Sequence, residues 1–382
     1  MNREEEIGLL DELLGLRKRN SAYLDEAVTY SPMSRYLDAD RFAQEREYVF
    51  RRHPSLIAHV SELPEDGSFL RRDVAGTSVL LTRDRDGEFH AFHNICRHRG
   101  AQLVDAHGGC RHRFTCPYHA WTWDNTGRLI AVPHQEQGFP DLDKESYGLK
   151  PIACAVRFGF VWIQLSAQDD IEIGAHLAPL ADDLEWLKLD GHQVFTTREQ
   201  VWHCNWKVVI EGGLEAYHFR VAHAKTIAGM FLDNLSSYQL FGPHIRSVLA
   251  RSTIDELVEQ PRKDWKIRDY TNIVYNVFPG SVFLVQGDHV VLVHFEPQAI
   301  DRTLIRCVTL IPKPDEPLTD KAKGYWQANH DLTVATLDED FALGESIQKG
   351  LDQGVNEAMT YGRFEGALNR INAEIERVLS QT

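Results

Sequence analysis

No apolar run in this chain approaches the roughly twenty residues that a membrane-crossing helix needs. Its opening, Met1-Asn2-Arg3-Glu4-Glu5-Glu6, is too acidic and too polar for a secretory signal, so a cytoplasmic protein without membrane attachment is expected. Cysteine is scarce, six in 382 residues, and Cys110, Cys154, Cys204 and Cys307 are scattered singly. That suits a reducing compartment better than a disulfide framework. Basic residues are in deficit, 41 Lys and Arg against 56 Asp and Glu, and the resulting net charge of −15 argues against nucleic acid as a partner. No G-x-G-x-x-G dinucleotide fingerprint occurs, so the chain is not expected to draw on NAD(P)H directly. Repeats and low-complexity segments are absent too. The length accommodates two ordinary domains, and the apolar fraction of 43% is that of a globular protein.

Against these absences stands one dense stretch. Cys96-Arg97-His98 is followed after seventeen residues by Cys116-Pro117-Tyr118-His119. Two short Cys/His pairs at that separation suit the tips of two facing loops closing on one metal centre. Two thiolates and two imidazoles serve either tetrahedral zinc or a [2Fe–2S] cluster with histidines on one iron. The single spacer in the first pair disfavours zinc, whose cysteines are usually two to four residues apart. Ala120 and Trp121 offer small and aromatic cover, and Gly100, Gly108 and Gly109 are expected to loosen the connecting loop so that backbone N–H groups approach sulfide. The motif resembles the Rieske iron–sulfur motif at all four ligand positions, with structural zinc as the alternative. In respiratory Rieske proteins two further cysteines brace the loops; Ala101 and Tyr118 stand at those positions here. The resemblance is therefore to the oxygenase type, with a potential near about −150 mV. From His93 to Arg128, five arginines (97, 99, 111, 113 and 128) face only Asp105 and Asp124, a local charge of +3. Such a collar either attracts an acidic electron donor or braces the loops.

Periodicity organises the rest coarsely. Residues from about Glu4 to Tyr48 read as helical, with Ile7, Leu10, Leu13 and Leu14 at helix spacing. Short strands begin at Ser55, and Asp86-Gly87 marks a hairpin between Ser78–Thr82 and Glu88–Phe92. Trp121 and Trp123 alternate on a strand that turns at Asn125-Thr126-Gly127, and Phe158–Ile163 closes a small all-β unit at about Leu165. Beyond it, Arg198–Ile210 alternates like a strand, Val282–Val285, His289–Glu296 and Thr303–Ile311 read as antiparallel strands, and helix formers dominate Thr319–Thr336 and Glu339–Leu379.

Asn205-Trp206-Lys207 introduces the second informative segment, which continues through Glu211-Gly212-Gly213-Leu214-Glu215-Ala216-Tyr217-His218 to His223. On a regular helix a separation of five leaves two side chains about 140° apart, so one metal reaches both histidines only if the helix bulges or ends between them. The segment resembles the mononuclear-iron motif of the Rieske non-haem iron oxygenases, in the expected order after the cluster motif. That resemblance implies His218 and His223 as iron ligands and a carboxylate from the C-terminal helical part: Asp340, with Asp338 the alternative, in a facial triad that leaves positions open for dioxygen. Asp338-Glu339-Asp340 also reads as a solvated acidic face. The resemblance further gives Glu215, where the family usually has Asp, the task of bridging an iron-ligand histidine to a cluster histidine, His119, of a neighbouring subunit. Some members with Glu here act on quaternary ammonium compounds. Asn205 and Tyr217 are expected to support or pack.

Taken with that resemblance, the expected fold is α+β: an N-terminal helical segment (1–44) packing on the catalytic domain, an all-β Rieske domain (45–165), and an antiparallel-sheet and helix, helix-grip-like catalytic domain (166–382). The expected activity is that of a terminal oxygenase passing electrons from a [2Fe–2S] cluster to mononuclear Fe(II), with O2 as co-substrate, to hydroxylate a small organic and preferably aromatic molecule. Oxidative N- or O-demethylation of a quaternary ammonium or methylated compound is the alternative, and a Rieske electron carrier without a second iron is the rival from another class. A separate flavin reductase, with or without a ferredoxin, and a trimer or multiple of three are implied. Pocket residues are expected between Thr226 and Leu240 and around Phe283 and Val293, where Met230 and Phe231 read equally well as core.

Overall fold

The structure, a computed structural model, describes residues 1–167 and 170–381; Gln168, Asp169 and Thr382, within the expected 166–382 domain, lie outside the described residues. The chain divides into two compact units, Phe50–His176, and Met1–Val49 together with Leu177–Thr382. Among the described residues no helix is long and apolar enough to cross a membrane.

The smaller unit is built on an antiparallel sheet whose strands run, in spatial order, Ser55–His59, Phe160–Gln164, Pro151–Arg157, Phe89–His93, Thr77–Arg83, Ser68–Val74 and Gly108–Cys110. Asp86-Gly87 makes the expected hairpin: Arg83 lies opposite Phe89, and Gly87 takes the left-handed φ of +86° that such a turn requires. A second sheet of three strands, Arg113–Thr115, Thr122–Asp124 and Leu129–Ala131, carries Trp123 into a core with Phe69, Phe114, Trp121, Cys96 and Cys116. Gly108 and Gly109 do not loosen a loop. They pair in an edge strand with Leu70 and Phe69, and a Cβ on Gly108 would meet Leu70 at 2.9 Å, so close strand approach explains the glycine.

In the larger unit a seven-stranded antiparallel sheet runs His192–Trp202, Arg302–Pro312, Val290–Ala299, Ser281–Val285, Thr271–Val277, His244–Arg251 and Phe231–Phe241. The strand expected to reach Ile210 stops at Trp202, and Trp206–Gly212 is helical. Asn205 decides this locally: its Oδ1 accepts the Lys207 N–H at 3.0 Å and caps the helix, while its amide donates to the Tyr36 and Ile300 carbonyls. Lys207 and Trp206 then reach one buried carboxylate, Glu45, at 2.6 and 3.0 Å. The asparagine-tryptophan-lysine run is thus a cap followed by two buried anchors.

Two further expectations change. The N-terminal helix ends at Lys18, Asn20 turns left-handed, and Thr29–Pro32 is a strand paired with Ala358–Tyr361. Both partners lie in stretches read as helical; a strand pairing between segments more than three hundred residues apart leaves no local periodicity to read. Near the C-terminus, Asp320–Leu351 forms one unbroken 32-residue helix, capped by the Thr319 hydroxyl, followed by that short strand and a second helix, Gly366–Leu379.

Candidate active site

Within the smaller unit the same turn is made twice. The Cys96 N–H donates to the Ala101 carbonyl (2.8 Å) and the Gly100 N–H to the Cys96 carbonyl (3.0 Å). In register, the Cys116 N–H donates to the Trp121 carbonyl (2.8 Å) and the Ala120 N–H to the Cys116 carbonyl (3.0 Å). Each turn closes through a left-handed residue, Gly100 at φ +80° and Ala120 at φ +59°. The two loops face each other, with the His98 and His119 rings 4.8 Å apart between centroids. His98 stacks flat on Trp121 at 4.9 Å, and Phe139 meets it edge-on. Both cysteines are buried and free, and burial pushes the Cys96 thiol up. The Nδ1 atoms of His98 and His119 are buried without a hydrogen-bond partner. Around this face Arg99 lies over Tyr118 and Arg111 over Phe69, bracing aromatic rings while both guanidinium groups, with Arg113 and Arg128, belong to exposed residues.

The larger unit assembles its donors from two elements. His218 and His223 flank a single helical turn, Phe219–Ala222, one at each end, and the preceding helix has stopped at Gly212. This break lets residues five apart converge: their Nε2 atoms are 3.1 Å apart. Asp340, on the long helix Asp320–Leu351, places Oδ1 at 3.3 Å from His218 Nε2 and 3.1 Å from His223 Nε2. Asp338 is elsewhere, paired with Arg198 at 2.5 Å.

Each imidazole is held from behind. Glu215 Oε1 accepts from His218 Nδ1, and its Oε2 takes the Tyr217 and His218 backbone N–H groups. Glu339 Oε2 accepts from His223 Nδ1 at 2.9 Å and from the Thr226 hydroxyl at 2.6 Å. Burial works against a charged His218 ring, but hydrogen bonds to Asp340 and Glu215 outweigh it and raise its pKa to about 10. Burial likewise opposes ionisation of Asp340, and the two histidines reverse that, lowering its pKa. Sequence reasoning did not single out Glu339 as the acceptor behind His223. Tyr217 is largely exposed and stacks near Phe364, 4.4 Å between centroids, consistent with packing alone.

The ring hydroxylating alpha subunit (catalytic domain) family matches residues 185–381, and the Rieske [2Fe-2S] domain family matches residues 53–152. The chain belongs to the ring-hydroxylating oxygenase alpha subunits. It is a Rieske non-haem iron oxygenase, the terminal component of its system, and its cofactors are a Rieske [2Fe–2S] cluster and a mononuclear iron that works with O2. The chain is 26% identical to the glycine betaine monooxygenase oxygenase subunit of Chromohalobacter salexigens, over 87% of this chain and 81% of that one. It is 28% identical to the carnitine monooxygenase oxygenase subunit of Escherichia coli K12, over 84% and 83%. In fold it is similar to a quaternary ammonium Rieske monooxygenase in complex with L-carnitine (TM-score 0.77, 21% identity, 93% and 96% covered). It is similar also to naphthalene 1,2-dioxygenase from Rhodococcus sp. (TM-score 0.76, 19% identity, 99% of each chain).

Both donor sets in this Rieske oxygenase fit those cofactors. Two orphaned, buried imidazole nitrogens beside two buried thiols are costly unless a metal group takes them up. Metal–nitrogen and metal–oxygen bonds of about 2.1 Å set neighbouring donors about 3 Å apart, which is the spacing of His218, His223 and Asp340. The carboxylate behind each histidine fixes its tautomer with Nε2 free for metal.

A cavity of about 510 Å³ opens from these donors along the long helix, which lines it from Asp340 back to Tyr325. Ile227, Met230 and Phe231 line it, as expected for the stretch after Thr226. From the sheet, Leu284 and Val274 line it instead of Phe283 and Val293, which turn into the core. Side chains alternate across a strand, and position 284 is on the cavity face.

Proposed function

We propose that Cys96, His98, Cys116 and His119 hold the cluster in a domain of residues 45–165, and that His218, His223 and Asp340 hold the iron in a domain of residues 166–382 on which residues 1–44 pack. The observation that carries this is the convergence of three donor atoms, all within 3.3 Å of one another, at the head of a cavity. When bound, the cluster supplies single electrons and the iron activates dioxygen. The chain's own part is to hold the Nδ1–H of His218 on Glu215 and that of His223 on Glu339, and to keep water from the reacting carbon with an apolar wall. Glu215 is assigned a second task, accepting from His119 of a neighbouring copy in a trimer or multiple of three. A solved relative whose work concerns inter-subunit electron transfer supports that reading. A separate flavin reductase, directly or through a ferredoxin, is the electron donor, and the exposed arginines near the cluster loops suit an acidic docking partner. Free cysteines support a cytoplasmic location.

The substrate we favour is a small methylated quaternary ammonium compound, oxidised at carbon. The glycine betaine and carnitine relatives support it, as do Glu215 in place of the family's usual Asp and two aromatic faces of the cavity, Phe219 beside His223 and Phe231 beside Phe219. Aromatic faces attract quaternary ammonium groups. The same apolar wall admits the other reading, hydroxylation of an aromatic ring. Metal and acid-labile sulfide per chain test the cofactor assignment: about three irons and two sulfides are expected, whereas two irons and two sulfides after reloading with ferrous iron would mean an electron carrier. Reductase-driven dioxygen uptake then separates the substrates. Stimulation by carnitine or glycine betaine supports the favoured reading, and stimulation by naphthalene or indole alone replaces it.

A further inference from the structure

At the Tyr325 end of the cavity, away from Asp340, two arginines converge on one residue. Arg251 donates through Nη2 to the Gln286 side-chain oxygen (3.2 Å) and through Nε to the Thr271 carbonyl (3.2 Å). Arg268 donates through Nε to the Gln286 carbonyl (2.8 Å) and through Nη2 to the His289 carbonyl (3.2 Å). Both side chains line the cavity, both are half-buried, and burial lowers the pKa of each below the ordinary arginine range. Among the described residues neither guanidinium has a carboxylate within ion-pair distance, and neither Nη1 has a partner. Asp288 spends its two oxygens on His289 Nδ1 (2.8 Å) and the Tyr325 hydroxyl (2.6 Å), and Asp269 belongs to an exposed position. These two acids line the same cavity and balance the arginines in formal charge, but neither is within ion-pair distance of a guanidinium. Two more polar atoms of cavity-lining residues are buried and unpartnered, Asn272 Oδ1 and His289 Nε2; Asn272 is 8% exposed and His289 3%.

Two cations half-buried beside a cavity and bonded only to neutral carbonyl oxygens are poised to take up an anion. A guanidinium with an unused Nη edge has the planar donor geometry that a carboxylate matches. The route from this end to the metal donors is short and aromatic: Arg251 stands 5.8 Å from the Phe231 ring, Phe231 is 5.4 Å from Phe219, and Phe219 is 5.3 Å from His223. We propose that the cavity is a carboxylate-reading site, in which Arg251 and Arg268 bind the carboxylate of the substrate and so set which carbon lies beside His218, His223 and Asp340. The proposal deepens the functional reading above and rests on its placement of the substrate cavity. It makes the substrate a molecule with a carboxylate at one end and its oxidised, methylated or aromatic end at the other. Arg251 and Arg268 are its specificity residues.

The test is calorimetric binding to protein carrying both cofactors, using pairs that differ in the carboxylate: glycine betaine against choline, L-carnitine against its methyl ester, and 4-phenylbutyrate against 4-phenylbutan-1-ol. The expected result is that the carboxylate of at least one pair binds tenfold or more tighter than its neutral partner. In Arg251→Gln and Arg268→Gln that preference falls to twofold or less, while iron content is unchanged. Arg251→Lys and Arg268→Lys retain part of the preference and guard against a folding defect in the glutamine variants. No preference in any pair, or a preference that survives both glutamine substitutions, overturns the proposal. Dioxygen uptake with a reductase is read separately: selective carboxylate binding without uptake upholds the anion site while removing the oxygenation reading, and uptake on neutral partners alone does the reverse.

Discussion

Three consecutive acids on one helix make three different sets of contacts. Asp338 pairs with Arg198, Glu339 with His223 and Thr226, and Asp340 with the Nε2 atoms of both histidines. Successive residues on a helix point about 100° apart, so a run that reads as one solvated face is three separate contacts. The donors themselves were legible because their residue types and order form a motif. Glu339 was hidden because a charged neighbour in an acidic run carries no pattern of its own; the one available signal was that a ligand histidine needs an acceptor for its second nitrogen. Asp340→Ala is expected to remove the mononuclear iron and keep the cluster's colour, whereas Asp338→Asn keeps both, as iron and sulfide analysis will show. Glu339→Gln is expected to weaken iron binding about 10- to 100-fold, read by competition with a chelator, with cluster absorbance unchanged. Equal iron affinity in that variant would make Glu339 a bystander.

The short helix Trp206–Gly212 is tied down at both ends by buried polar groups, and this decides its stability. At its start Lys207 is 1% exposed and bonds both oxygens of Glu45. Lys207→Met leaves the buried Glu45 with the Arg41 guanidinium (3.0 Å) and the Trp206 indole as partners, and should cost about 3 kcal/mol in urea unfolding. Near its end Glu211 accepts from Tyr36, Tyr361 and Asn372, joining the helix to three other elements. Burial raises the Glu211 carboxyl to about 7, against hydrogen bonds that lower it. A carboxyl raised in the folded state binds its proton there while the unfolded chain has released it. Stability should therefore fall as pH rises from the ordinary carboxylate range to about 7 and level off above, by about 3 kcal/mol if the whole shift is expressed. Glu211→Gln should flatten that window in unfolding midpoints taken at pH 5 and pH 8. The helix lay at the end of a stretch, Arg198–Ile210, whose alternation read as a strand; its Val208-Val209-Ile210 run is β-branched, and the cap at Asn205, which overrides that propensity, is a single residue.

For the whole molecule, the order of cluster motif then iron motif was readable from residue types, the hairpins from neighbours in sequence, and the all-β first unit from alternation within its separate strands. The strand pair Thr29–Pro32 with Ala358–Tyr361 was not, because it joins segments far apart in the chain; the grouping of the N-terminal segment with the second domain was expected from the family resemblance alone. Assembly belongs to this scale as well. Glu215→Gln should leave both metals bound yet lower the rate at which a reduced cluster supports turnover by tenfold or more in single-turnover mixing, while gel filtration gives the same assembly size as the parent protein. Iron loss in that variant would give Glu215 a merely structural task.

The unbroken helix Asp320–Leu351 sets one end of the cavity against the other. Tyr325, bonded to Asp288 beside the arginine pair, and Asp340, among the metal donors, stand on the same rod, about 22 Å apart along its axis at 1.5 Å per residue. Such a rod is a ruler with a phase. Removing one residue between those marks would shorten it by only about 1.5 Å but swing Asp340 round by about 100°, away from both histidines. The spacing between Tyr325 and Asp340 is therefore adjustable in whole helical turns, and hardly at all between.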